Sequence, residues 1–253
     1  MPNTQPKALI IIEYAPALLG NDGRPAAIVH GMERALPGLQ LRWTTSEDGQ
    51  RTLLSDRDAW LAQQKLDGEF PLLHNCDERA FASVAGWAGP ASSAPGGQAR
   101  LEVHAKLPLN TECIAAAAAV LEGVAEGAHA LWGHLSPEGY GGEVSQQVRH
   151  GAHGPERSPR GLPMLDMPWN LPAPATPHFI GWLNHWSAAA AQVIGFPDPA
   201  RDADLLSRSR RTASGGWIVQ LTDSPLDLDK PAHLDALLRA YERFPMIGGR
   251  EAP

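Results

Sequence analysis

Leu101-Glu102-Val103-His104-Ala105-Lys106-Leu107-Pro108-Leu109 alternates apolar and polar side chains, breaks at a proline, and leads through Thr111 into an alanine-rich stretch from Glu112 to Glu126. A period of two marks a strand with one wet face. Ile114, Leu121 and Ala125 then share one stripe of the helix, with Thr111 as its expected N-cap. A later passage repeats the plan. Trp217 to Thr222 reads as a strand, Ser224-Pro225-Leu226 as its exit, and Ala232 to Phe244 as a helix opened by Pro231, with Leu234, Leu237, Leu238 and Tyr241 at helical spacing. The sequence thus predicts an α/β (α+β) fold: two diverged ferredoxin-like β-α-β-β-α halves, 1–135 and 178–253, packed into one domain with a long Pro/Gly-rich loop, 136–177, between them.

The flanking elements fit that plan. Ala8 to Tyr14 is a β-branched run without helical spacing and reads as a buried strand. Pro25 stands at a first helical position before Ala26 to Leu36, which Pro37-Gly38 stops. Strands are expected at Leu39 to Thr45, Pro71 to Asn75, Phe81 to Trp87 and Ala130 to Leu135, and a short helix at Asp56 to Lys65. Further on, Phe179 to Trp186 reads as a strand, Ser187 as a cap, Ala188 to Ile194 as a helix closed by Gly195, and Leu205 to Arg211 as a strand. The 42 residues from Ser136 to Pro177 hold eight prolines and six glycines, too many for regular structure. They also hold Leu162, Met164, Leu165, Met167 and Trp169, so the second half of the loop is expected to drape over the core.

Composition narrows the function classes. With 43% hydrophobic and 19% charged residues in 253, the chain buries an ordinary core and is not a disordered chain. A formal charge of −7 repels phosphate backbones and anionic lipid heads, so neither nucleic acid nor a membrane surface is an expected partner. From Leu107 to Val148 there are five glutamates (Glu112, Glu122, Glu126, Glu138, Glu143) and no Lys or Arg, a stretch that would draw a basic partner if exposed. Cys76 and Cys113 form no CxxC and point to a reducing compartment. Met1 to Lys7 is polar and Ala8 to Ile12 too short for a secretory signal, so the expected location is cytoplasmic.

Chemistry-bearing motifs are sparse. No GxSxG, P-loop or dinucleotide fingerprint is present, and Gly139-Tyr140-Gly141-Gly142 lacks the lysine that binds phosphate. No cofactor is therefore expected. His30 and Glu33 form an HxxE on the first helix, with a solvated helix face as the plain alternative. Glu102 and His104 lie on one side of their strand, and with His134 on an adjacent strand they would supply three ligands for a metal-dependent enzyme. His150 and His153 are expected in solvent. Cys113, near a helix N-terminus, is either a thiol of lowered pKa or a small packing residue. Trp182 and Trp186, four apart on one strand, read first as core and second as a binding platform.

The segments Val29-His30-Gly31-Met32-Glu33-Arg34-Ala35-Leu36-Pro37-Gly38, Val103 to Leu109, Trp132-Gly133-His134, Gly181 to Trp186 and Pro225-Leu226-Asp227-Leu228-Asp229 resemble an uncharacterised bacterial family of unknown function. That family is similar to the immunity proteins of type VI secretion and polymorphic toxin systems. The resemblance implies a cytoplasmic, stoichiometric inhibitor that binds a cognate toxin and occludes it, and it transfers no catalytic residue; the acidic surface would speed capture of a toxin that is basic. The expected contact surface is the acidic stretch with Glu122 and Glu126 together with the loop around Trp169. A metal-dependent enzyme built on Glu102, His104 and His134, and a regulatory protein-binding module, are the competing readings.

Overall fold

The computed structural model describes residues 7–46, 48–64, 67–148 and 157–250. Its framework is one ten-stranded, wholly antiparallel sheet in the order β3-β2-β4-β5-β6-β1-β7-β8-β10-β9. The strands are β1 (Ala8–Pro16), β2 (Trp43–Thr45), β3 (Arg51–Leu53), β4 (Phe70–His74), β5 (Ser83–Gly89), β6 (Arg100–Pro108), β7 (Trp132–Pro137), β8 (Leu183–Trp186), β9 (Ser209–Arg211) and β10 (Trp217–Gln220). The helices are α1 (Arg24–Ala35), α2 (Arg57–Gln63), α3 (Thr111–Ala128), α4 (Tyr140–Gln147), α5 (Ala188–Ile194), α6 (Ala203–Ser207) and α7 (Pro231–Arg243). No helix among the described residues is long and apolar enough to cross a membrane.

The mixed α/β class agrees with the sequence; paired ferredoxin-like halves are not confirmed. Residues 1–135 supply β1 to β6 and most of β7, arranged around central β1, whereas the later residues add β8, β10 and β9 in a row beyond β7. Strands β7 and β8 pair directly, so the sheet runs unbroken across the long loop.

On β1, Leu9, Ile11, Glu13 and Ala15 are buried on one face, beneath α3, against which α1 packs. These two helices touch at glycines: a Cβ on Gly31 would lie 2.1 Å from the Gly123 carbonyl oxygen, and one on Gly127 would lie 2.6 Å from the Ile28 nitrogen. Backbone-to-backbone approach is what fixes glycine there. The opposite face, from β1 to β10, carries Tyr14, Trp132 and Trp186 in cross-strand register. Phe179 meets Trp132 and His134, Tyr140 of α4 meets His134, and Phe196 and Phe244 pack on Trp186, so this half of the face is closed. Trp186 is core, and so is Trp182, whose indole N–H donates to the Thr222 carbonyl.

Several boundaries differ from the sequence reading, each for a local reason. Asn110 rather than Thr111 caps α3, its Oδ1 accepting from Cys113 N at 2.8 Å. The supposed strand Leu205 to Arg211 is split between α6 and β9, because Asp202 accepts the first backbone bond of a helical turn. Strand β3 was not foreseen, and the Leu39 and Phe179 strands begin later, at Trp43 and Leu183. Lys65, the expected end of the second helix, lies outside the described residues. Inside the long loop α4 forms despite Gly141 and Gly142, since Tyr140, Val144 and Gln147 bury one helical stripe. Leu162, Met164 and Leu165 are buried as expected, Leu171 is buried beside them, and Trp169 stays half exposed on a single 3-10 turn, Pro168–Asn170.

Candidate functional site

The three ligands of the competing metal-dependent reading, Glu102, His104 and His134, are not brought together. His104 and His134 both pair with Ile12, so a whole strand lies between them, a separation of about 10 Å. Glu102 is engaged by Arg100 at 2.6 Å and lies 3.7 Å from His104 Nε2. The nearby His104 imidazole, and then the hydrogen bonds from Arg100, hold its carboxyl below the usual range against the effect of burial. His134 is fully buried, Nδ1 3.2 Å from Ser136 Oγ and Nε2 without a partner among the described residues. Burial, reinforced by the charge of His104, pushes its pKa down to about 3, so it is a neutral core histidine at neutral pH. Among the described residues no three His, Cys, Asp or Glu side chains are placed to hold a metal ion.

The other sequence candidates are also occupied by the fold. Glu33 accepts from Leu41 N at 2.8 Å and from Arg57 at 2.6 Å, while His30 turns to Asp58 at 2.8 Å, so the HxxE pins α1 to the segment leading into α2. Cys113 faces the core, where burial and then the charge of Glu112 push its thiol pKa up, the opposite of an activated nucleophile. His150 and His153 lie outside the described residues.

The acidic stretch is not a bare acidic surface. Glu122 pairs with Arg210 at 2.6 Å, Glu138 with Lys106 at 2.9 Å and Glu143 with Arg160 at 3.1 Å. Glu126 accepts from the Ser214 hydroxyl at 2.6 Å and the Ser214 amide at 3.2 Å. Burial opposes its ionisation, yet these donors hold its carboxyl below the usual range. Glu122 and Glu126 belong to the helix-covered side of the sheet, whereas Trp169 lies in the loop layer of the other side, next to the 3-10 turns Ala91–Ser93 and Pro95–Gly97 that follow β5. The two parts of the expected contact surface are therefore separate.

What the fold leaves open is one end of the sheet. Beyond β1 the face carrying Tyr14 continues through Glu102 to Trp87 and through His104 to Ala85, then to Leu72, His74, Trp43 and Leu53; Ala85 and His74 are buried, and Gln64 at the end of α2 stands at the margin. Here Leu53, Leu72 and Trp87 remain 55%, 38% and 48% exposed, and Phe81, also 38% exposed, leans on the His74 ring at 5.7 Å. Large exposed apolar side chains scattered singly need no explanation, but a cluster on one rigid face marks an interaction surface. Trp87 stands edge-on to His104 with ring centroids 4.4 Å apart, and Leu72, Ala85 and Trp87 line a cleft of about 320 Å³. Ion pairs rim the patch: Arg100 with Glu102, Lys106 with Glu138, and Arg51 with Glu78. Trp87 was legible only as one end of a strand; its exposure depends on which face the helices cover.

The buried pair Glu13 and His185 was also missed, although a charged residue in phase with Leu9 and Ile11 was the available signal. Glu13 Oε2 lies 3.0 Å from His185 Nδ1, and both side chains are buried. Burial raises the Glu13 pKa, and the imidazole opposes that rise.

The family model of a domain of unknown function, DUF5953, matches residues 20–252. The chain belongs to the DUF5953 family. No curated protein matches the chain. Among solved structures, this DUF5953 chain is similar in fold to Pseudomonas aeruginosa T6SS protein PA0821, with a TM-score of 0.56 and 16% sequence identity over 99% of this chain and 79% of the other.

Proposed function

We propose that this chain is a type VI secretion-related immunity protein that binds a cognate toxin and neutralises it by occlusion. The observation that carries the reading is the likeness in fold, over almost the whole chain, to a T6SS protein. The site geometry supports a binding role: Glu102, His104 and His134 are not gathered into a metal site, while an apolar patch around Trp87 and Leu72 is held on strands. In such a surface a few aromatic and aliphatic anchors supply the affinity, and charge pairs at the rim set the register. We place the toxin on this open face, with Trp169 at its margin.

The test is co-expression with the toxin-like product of an adjacent gene, scored by growth rescue and by pull-down in rising salt. Rescue and a complex that Trp87→Ala or Leu72→Ala weakens by tenfold or more, about 1.4 kcal/mol, are expected. No complex and no rescue would refute immunity. A complex indifferent to Trp87→Ala but lost on charge reversal at Glu122 and Glu126 would keep immunity and move the toxin, as a basic partner, to the α3 side.

A further inference from the structure

We propose that the outer faces of α1 and α3 form a two-fold interface between two copies of this chain. Between these helices runs a groove of about 580 Å³ with Arg34 on the α1 side and Glu122 on the α3 side; of its other polar lining residues, His30 is taken by Asp58 and Glu126 by Ser214. Arg34 is exposed and has no ion pair among the described residues, and Glu122 Oε2 lies 2.6 Å from Arg210. The strip between the walls is formed by Ala27, Ala119 and Gly123, with no large side chain to hold a second helix away.

Charge order selects the occupant. A surface that is basic on one helix and acidic on the next matches a partner with the reverse order, and a second copy related by a two-fold axis running along the groove supplies that order. Each α1 then faces the other copy's α3, so Arg34 meets the second copy's Glu122, and the same contact forms twice. The interface lies on the face of the sheet opposite Trp87, so both open faces remain available. It does not rest on the proposed toxin binding.

Sedimentation velocity on the full chain over a wide concentration range tests it. A concentration-dependent mass of two chains is expected. Arg34→Glu alone and Glu122→Arg alone each place like charges at both contacts and weaken the dimer by tenfold or more. Mixing the two variants restores it, because every contact in the mixed dimer is again between opposite charges. Melting curves check that both variants stay folded. A monomer at all concentrations would overturn the proposal, as would a dimer indifferent to the reversals or a mixture that fails to reassociate.

Discussion

Glu13 on β1 and His185 on β8 are separated by strand β7, and they meet at 3.0 Å because the residue between them in the register is Gly133. A Cβ on Gly133 would fall 2.2 Å from the Glu13 carboxylate. The pair thus links the N-terminal strands to those added after the long loop. Glu13→Ala or His185→Ala leaves a buried group unpaired and is expected to cost about 3–5 kcal/mol in urea unfolding. The double replacement is expected to cost clearly less than the sum, the sign of direct coupling.

Two glycine-to-alanine changes are expected to have opposite signs. Gly31→Ala drives a methyl group into the Gly123 backbone and is expected to lower stability by roughly 3 kcal/mol. Gly141→Ala, in α4 with nothing within 4 Å of the added carbon, is expected to raise it by about 0.5–1 kcal/mol. Thermal melts of both variants read the difference.

His134 sets an acid limit. Its folded pKa of about 3 lies below the ordinary value of 6.5, so its contribution is fully present above pH 6.5 and is lost as the pH falls toward 3. Unfolding free energy measured from pH 7 to 4 is expected to fall, and His134→Gln to flatten that fall. An unchanged slope would show that other groups dominate acid unfolding.

Trp87 and Trp186 share a face but not a role. Trp186→Ala empties a buried site packed by Phe196 and Phe244 and is expected to cost about 3–5 kcal/mol. Trp87→Ala removes a half-exposed ring and is expected to cost about 1 kcal/mol or less, so that any loss of partner binding is not a loss of fold.

Local pattern by itself determined the elements that carry their own signal. The period of two in Leu101 to Lys106, the β-branched run of β1, the Ser187 cap and the spacing of Leu234 to Tyr241 all place elements that the structure contains. Short-range chemistry is sufficient there because the alternation, cap or stripe forms within a few residues. It failed where burial came from distant partners: α4 is helical because its stripe meets Ile180 and the loop around Pro163, and β3 exists because β2 offers it an edge. The site was decided almost wholly by tertiary structure. Glu102, His104 and His134 sit near one another in the sequence reading, but the register puts Ile12 between the histidines. Glu122 and Glu126 read as free charges until Arg210 and Ser214 reach them from the far end of the chain. Exposure of Trp87 and burial of Trp186 are equally illegible in one dimension, because which half of a sheet face is covered depends on where α4, α5 and α7 come to rest, and those positions are fixed by the packing of the whole chain.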